Sequence, residues 1–160
     1  MKILIFTEGT IIMPSCAKDI SREKRVKQSQ QGIKDVYDYK NYVPNGNPAN
    51  RLHSWKNLGA EIFYLTSRST PEEVNDIRHV LEKYNFPDCQ NLLFRKKGEE
   101  YKDVAEKLMP DILIEDDCES IGGEAEMTYP HIRPDLKTKI KSIVLKEFGG
   151  IDHLQDKLDF

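Results

Sequence analysis

Five short, continuous apolar runs, separated by stretches patterned at helical spacing, constrain this chain more than any other feature. The runs fall at residues 2–6 (Lys-Ile-Leu-Ile-Phe), 61–65 (Glu-Ile-Phe-Tyr-Leu), 91–94, 111–114 and 141–148, the last centred on Ile143, Val144 and Leu145 and ended by Gly149-Gly150. Runs of four to eight residues with no polar alternation suit strands covered on both faces, as in a parallel sheet. Parallel strands need long crossovers, and the intervening segments supply them. Pro48 can open a helix whose positions Ala49, Leu52, Trp55 and Leu58 share a face, with Gly59 ending it. Thr70 before Pro71-Glu72-Glu73 combines an N-cap hydroxyl, a first-turn proline and a capping-box glutamate, and Val74, Ile77, Leu81 and Tyr84 form the stripe that follows. Tyr101, Val104, Ala105 and Leu108 make a third amphipathic face, stopped at Pro110. The pattern predicts an α/β fold, a three-layer sandwich around a parallel sheet of about five strands.

Residues 13–47 break the alternation. They are polar and charged, with a basic stretch at 21–27 and then Tyr37, Tyr39 and Tyr42. They read as an excursion out of the core with one short helix, a small cap-like insertion in a single domain spanning 1–160, a length that suits one hydrophobic core. Lys and Arg number 24 against 27 Asp and Glu, a formal charge of −3, which argues against phosphate-backbone binding, so no nucleic-acid partner is expected. No apolar run approaches the ~18 residues of a membrane-crossing helix. The first run stops at Phe6 and enters Thr7-Glu8-Gly9-Thr10, which reads as a buried strand rather than a signal peptide. Cys16, Cys89 and Cys118 are far apart and form no CxxC or Cys/His cluster, so neither a disulfide scaffold nor a zinc site is expected, and the reducing cytoplasm is the expected setting.

In an open parallel sheet, ligands bind beyond the carboxyl ends of the strands. Those ends carry Thr7, Glu8, Gly9 and Thr10; Thr66, Ser67 and Arg68; Arg95, Lys96 and Lys97; and Glu115, Asp116 and Asp117. Together they offer carboxylates for a hard cation, hydroxyls and backbone N–H groups for an anion, and basic side chains to neutralise phosphate.

This ordered set resembles the haloacid dehalogenase-like (HAD) superfamily over about residues 1–148. In that family an apolar strand runs into Asp-x-Asp-Gly-Thr, a second ends in Thr or Ser, a Lys or Arg follows, and a further strand ends in an acidic pair. The matching pieces are Phe6-Thr7-Glu8-Gly9-Thr10, Tyr64-Leu65-Thr66-Ser67-Arg68, a basic residue among positions 95–102, and Ile114-Glu115-Asp116-Asp117. The resemblance implies Glu8 and Lys102 as catalytic groups, Gly9, Thr10, Thr66, Ser67 and Lys97 around a phosphate, and Asp116 and Asp117 as ligands of Mg²⁺. It also implies a small phosphorylated ligand or a protein partner, in an open site with a minimal cap.

Phe6 departs from the family pattern. It stands where the first Asp would become an aspartyl-phosphate, and a phenyl ring cannot attack phosphorus. Glu8 takes the position of the second Asp, one methylene longer and able to shuttle a proton. Two readings follow: a divergent protein that binds a phosphate-bearing ligand or partner without the usual phosphatase chemistry, or a Mg²⁺-dependent phosphohydrolase using Glu8 and Asp116 with no covalent intermediate, through an activated water. Of the hydroxyls nearby, Thr7 and Thr10, Thr7 neighbours the lost position but replaces the nucleophile only if the strand end is distorted, because adjacent residues on a strand face opposite ways. Blander roles stay open: Glu8-Gly9 as a turn, Thr66-Ser67 as a helix cap, 115–117 as a solvated loop, the basic residues 95–97 as a surface patch and Lys102 as an exposed helix position. The loop at 127–134 brings Tyr129, His131 and Arg133 within reach of the expected site, and 148–153 can return to the same sheet edge. His53 and His79 are assigned no role.

Overall fold

The computed structural model describes residues 1–155. The strands are β1 (Lys2–Phe6), β2 (Ile12–Met13), β3 (Val43–Pro44), β4 (Glu61–Leu65), β5 (Leu92–Leu93), β6 (Ile112–Asp116) and β7 (Lys141–Leu145). The helices are α1 (Arg22–Gln31), α2 (Pro48–Asn57), α3 (Pro71–Lys83), α4 (Tyr101–Leu108) and the short α5 (Pro134–Lys137). The main sheet has the order β5-β4-β1-β6-β7 and is parallel throughout, so the predicted five-stranded α/β sandwich is what forms.

Strand pleating divides the core in two, since successive side chains on a strand point to opposite faces. Ile3, Ile5, Ile62, Tyr64, Ile112 and Ile114 pack on one side with Leu52 and Trp55 of α2 and Val74, Ile77 and Leu81 of α3. Leu4, Leu65 and Leu113 pack on the other with Val104 and Ala105 of α4 and with Ile132 and Ile140. The helix ends follow the sequence signals: Thr70 Oγ1 accepts the Glu73 N–H at 3.3 Å, and Gly59 past α2 has φ +93°. Leu58, expected on the inner face of α2, instead lies just past the helix end and is exposed. Among the described residues no helix is long and apolar enough to cross a membrane.

Three boundaries differ from the sequence reading. The third run forms a ladder only at Leu92–Leu93, and Asn91 instead donates its amide to the Ile62 carbonyl at 3.0 Å. The last strand stops at Leu145 because the chain turns back toward β1, where the Phe148 N–H meets the Gly9 carbonyl at 2.7 Å. β6 runs on to Asp116, so Glu115 and Asp116 are strand residues rather than a solvated loop.

The excursion at 13–47 is also not outside the core. β2 and β3 close its base as an antiparallel pair, Met13, Ala17 and Val26 pack with Phe148, and Tyr39 and Tyr42 are buried within the main apolar cluster. Its Tyr side chains supply the apolar area that its polar composition obscures.

Candidate functional site

A cavity of about 210 Å³ opens beyond the carboxyl ends of the strands. Phe6 reaches it at the end of β1, Glu8 and Gly9 just after it, Ser67 and Arg68 after β4, Asp116 and Cys118 at the end of β6, and Glu147 and Phe148 after β7. Tyr37, Tyr39 and Tyr42 of the excursion and Tyr101 of α4 form its aromatic walls. Among the described lining residues Arg68 is the sole Lys or Arg, against five acidic residues, Glu8, Glu115, Asp116, Glu126 and Glu147.

The turn after β1 is tight. Ile11 and Ile12 donate their N–H groups to the Thr7 carbonyl at 2.9 and 3.0 Å, and Gly9, at φ +82°, donates to Ile12 at 3.0 Å. A Cβ on Gly9 would stand 2.8 Å from Asp116 Oδ2, so glycine is what allows the turn to approach the carboxylate. Thr7 is fully buried, and its hydroxyl is held by the Leu65 carbonyl at 3.2 Å and by Glu8 Oε2. It does not line the cavity, so the strand-end distortion that would present Thr7 as a nucleophile is absent.

Glu8 folds onto the end of β4. Its Oε1 accepts from Thr66 Oγ1 at 2.7 Å and Ser67 Oγ at 3.3 Å, its Oε2 accepts from the Ser67 N–H at 3.3 Å, and Arg68 Nε lies 3.5 Å from Oε1. Arg68 is itself fixed: it donates to Ser67 Oγ and the Tyr39 hydroxyl, and its guanidinium stacks 4.4 Å from the Tyr39 ring centroid.

The alternation along β6 sends its adjacent acids in different directions. Asp116 turns toward the β1 turn, where Thr10 Oγ1 donates to Oδ2 at 2.7 Å and the Cys118 N–H to Oδ1 at 3.0 Å. Glu115 turns the other way and accepts the N–H groups of Thr128 and Tyr129 at 2.7 and 2.9 Å. Burial pushes the carboxyls of Asp116, Glu115 and Glu147 above the ordinary range, outweighing these donors and, for Glu147, those from Ser120. Burial works in the same direction on Asp117, but the Lys146 ammonium at 2.9 Å and the Glu147 N–H at 3.0 Å hold its carboxyl below that range.

These positions bear on the implied Mg²⁺. Asp116 lines the cavity with both oxygens already hydrogen-bonded, whereas Asp117 is paired with Lys146 and does not line it. Among the described residues no group of three or more His, Cys, Asp or Glu side chains is placed to hold a metal. The residues as arranged do not fit a Mg²⁺ held by the Asp116–Asp117 pair.

The basic candidates are also displaced. Lys97 is exposed, and Lys102 pairs with Glu100 at 2.6 Å and borders a separate groove with Arg95 and His131. Neither lines the cavity. Arg95 instead stacks 4.0 Å from the Tyr101 ring centroid, and Tyr101 meets Phe6 edge-on at 5.1 Å. Thr10 and Thr66 are both buried and both spend their hydroxyls on carboxylates, Asp116 and Glu8 respectively.

The loop at 127–134 does not deliver its side chains to the cavity. His131 pairs with the Ala125 carbonyl, Arg133 with Glu106 and Asp135, and the Tyr129 hydroxyl with the Lys137 carbonyl. Its backbone N–H groups on Glu115 are its link to the site. The sequence reading missed Glu147, although the strand-end rule applied to the last run would have selected it had that run been ended at Leu145. It also missed the buried Tyr39 and Tyr42, whose only signal was three tyrosines within six residues.

No family model and no curated protein sequence matches the chain. Solved structures do. The class C acid phosphatase from Bacillus anthracis with tungstate bound is similar at a TM-score of 0.58 and 13% identity, over 93% of this chain and 68% of that one. A second structure of the same phosphatase gives 0.59 and 12%, over 93% and 67%. A HAD family hydrolase from Deinococcus radiodurans R1, with bound phosphate and sodium, gives 0.47 and 10%, over 92% and 91%. At such identities the likeness is one of fold: the chain shares the α/β architecture of the class C acid phosphatase.

Proposed function

We propose that this chain is a divergent HAD-like protein that binds a phosphate-bearing small ligand and does not form an aspartyl-phosphate. The observation that carries the reading is Phe6: at the end of the central strand its ring lines the cavity and packs edge-on against Tyr101, so an apolar surface stands where the family's attacking carboxylate would be. The ligand class is supported by the hydroxyls, backbone N–H and guanidinium gathered at Thr66, Ser67 and Arg68, which are donors suited to an oxyanion. It is further supported by the phosphatase fold and by the tungstate bound to one of the similar structures.

Hydrolysis with Mg²⁺ through Glu8 and Asp116 is less well supported, since Glu8 is turned into the donors beside β4 and Asp116 is capped by Thr10 and Cys118. The test is a phosphomonoester panel with Mg²⁺ alongside calorimetric titration with inorganic phosphate and tungstate. The expected result is anion binding without turnover above background. Turnover abolished by Asp116→Asn, or trapping of a beryllium fluoride adduct on an aspartate, refutes the proposal.

A further inference from the structure

The donors that suit an oxyanion are not free in this structure. Thr66 Oγ1, Ser67 Oγ and the Ser67 N–H all point at one carboxylate, Glu8, with Arg68 Nε 3.5 Å away. Thr66 is buried, but Glu8 and Arg68 keep 14% and 26% of their side chains exposed, so the assembly forms part of the cavity wall rather than the core. A carboxylate and a phosphate make the same demand on such donors: short, charge-assisted hydrogen bonds from hydroxyl and N–H groups, and a guanidinium alongside. The Thr7 hydroxyl also donates to Glu8, and among the described residues no partner draws Glu8 across the cavity, where Asp116 and Glu147 are carboxylates committed to Thr10, Cys118 and Ser120.

We propose that Glu8 is an internal competitor, a carboxylate seated in the oxyanion cradle made by Thr66, Ser67 and Arg68, which an external phosphate-type anion must displace to bind. The proposal rests on the phosphate-ligand reading above and adds that Glu8 sets the threshold for binding. The mechanism is an exchange of one anion for another on the same donors. When Glu8 swings out, Thr66 Oγ1, Ser67 Oγ, the Ser67 N–H and the Arg68 guanidinium pass to the incoming oxyanion, and the Glu8 carboxylate gains water. Because Arg68 is held by Tyr39 and by Ser67, the cradle keeps its shape when Glu8 leaves.

The test compares inorganic phosphate and tungstate binding, by isothermal titration calorimetry, in wild type, Glu8→Ala and Glu8→Gln. The expected result is at least tenfold tighter binding in Glu8→Ala, with the gain lost in Glu8→Ala/Arg68→Met. Glu8→Gln keeps the volume and one acceptor oxygen while removing the charge, so it reports on the competition even if the alanine variant folds poorly, and it too is expected to bind more tightly than wild type. Anion affinity within twofold of wild type in folded Glu8→Gln overturns the proposal. So does a tungstate-soaked wild-type crystal in which tungstate sits elsewhere and Glu8 remains on Thr66 and Ser67. Phosphomonoester turnover by wild type refutes only the functional reading, because the ratio of affinities between variant and wild type still decides the role of Glu8.

Discussion

Replacing Gly9 by alanine tests the coupling between the turn after β1 and the acidic end of β6. Gly9 has φ +82°, where an L-residue costs ~1–2 kcal/mol. The added Cβ would also stand 2.8 Å from Asp116 Oδ2 and 3.3 Å from its Cγ. Asp116 cannot yield freely, since that oxygen accepts from Thr10 at 2.7 Å and its partner oxygen accepts the Cys118 N–H at 3.0 Å. A shift that breaks the Thr10 bond leaves a buried polar group without its partner, about 1–3 kcal/mol, for a total of about 2–5 kcal/mol. Gly59→Ala is the control, because its φ is +93° but nothing lies within 4 Å of its Cβ position, so only the conformational cost of about 1–2 kcal/mol applies. Urea unfolding at pH 7, followed through the single tryptophan, Trp55, gives both values. Equal destabilisation of the two variants refutes the argument that Asp116 is pinned against the turn.

Stability should respond to pH with a definite sign. The folded-state pKa values of Asp116, Glu115 and Glu147 are raised by burial, so their contribution is complete below the ordinary carboxylate range and is lost as pH rises through the folded values. Asp117 is lowered, and its contribution disappears as pH falls below that range. Urea midpoints should therefore peak on the mildly acidic side of neutrality, with a shallower decline toward neutral pH in Asp116→Asn; a midpoint that climbs steadily to pH 8 contradicts this. Leu52→Ala empties a fully buried position between α2 and the sheet and should cost about 2–5 kcal/mol in the same assay. Thr70→Ala removes the cap of α3 and should cost about 1 kcal/mol, with Thr70→Ser close to neutral, as read from thermal unfolding by circular dichroism.

The local pattern of the sequence was enough for the sheet and most of the helices. The runs at 2–6 and 61–65 became strands with those ends, and Thr70 caps α3 as its hydroxyl and the following Pro71 and Glu73 implied. Such signals depend on neighbours within a few residues, which sequence displays directly. The excursion was less legible because burial of Tyr39 and Tyr42 depends on α3 and the sheet closing over them, contacts that polar neighbours in sequence do not announce.

By itself the sequence also determined which chemical groups stand at the carboxyl ends of the strands: Glu8, Thr66, Ser67, Arg68 and the acids at 115–117. Tertiary structure alone decided what those groups touch. The one-residue alternation of β6 separated Asp116 from Glu115, and Lys146, 29 residues further on, drew Asp117 out of the cavity. The parallel register that sets Phe6 beside Leu65 brought Glu8 onto Thr66 and Ser67, 58 and 59 positions away. The physical reason is that strand formation is governed by short-range pattern and burial. The direction and partners of a carboxylate are governed by pleat, register and whatever donor a distant segment brings within about 3 Å of it.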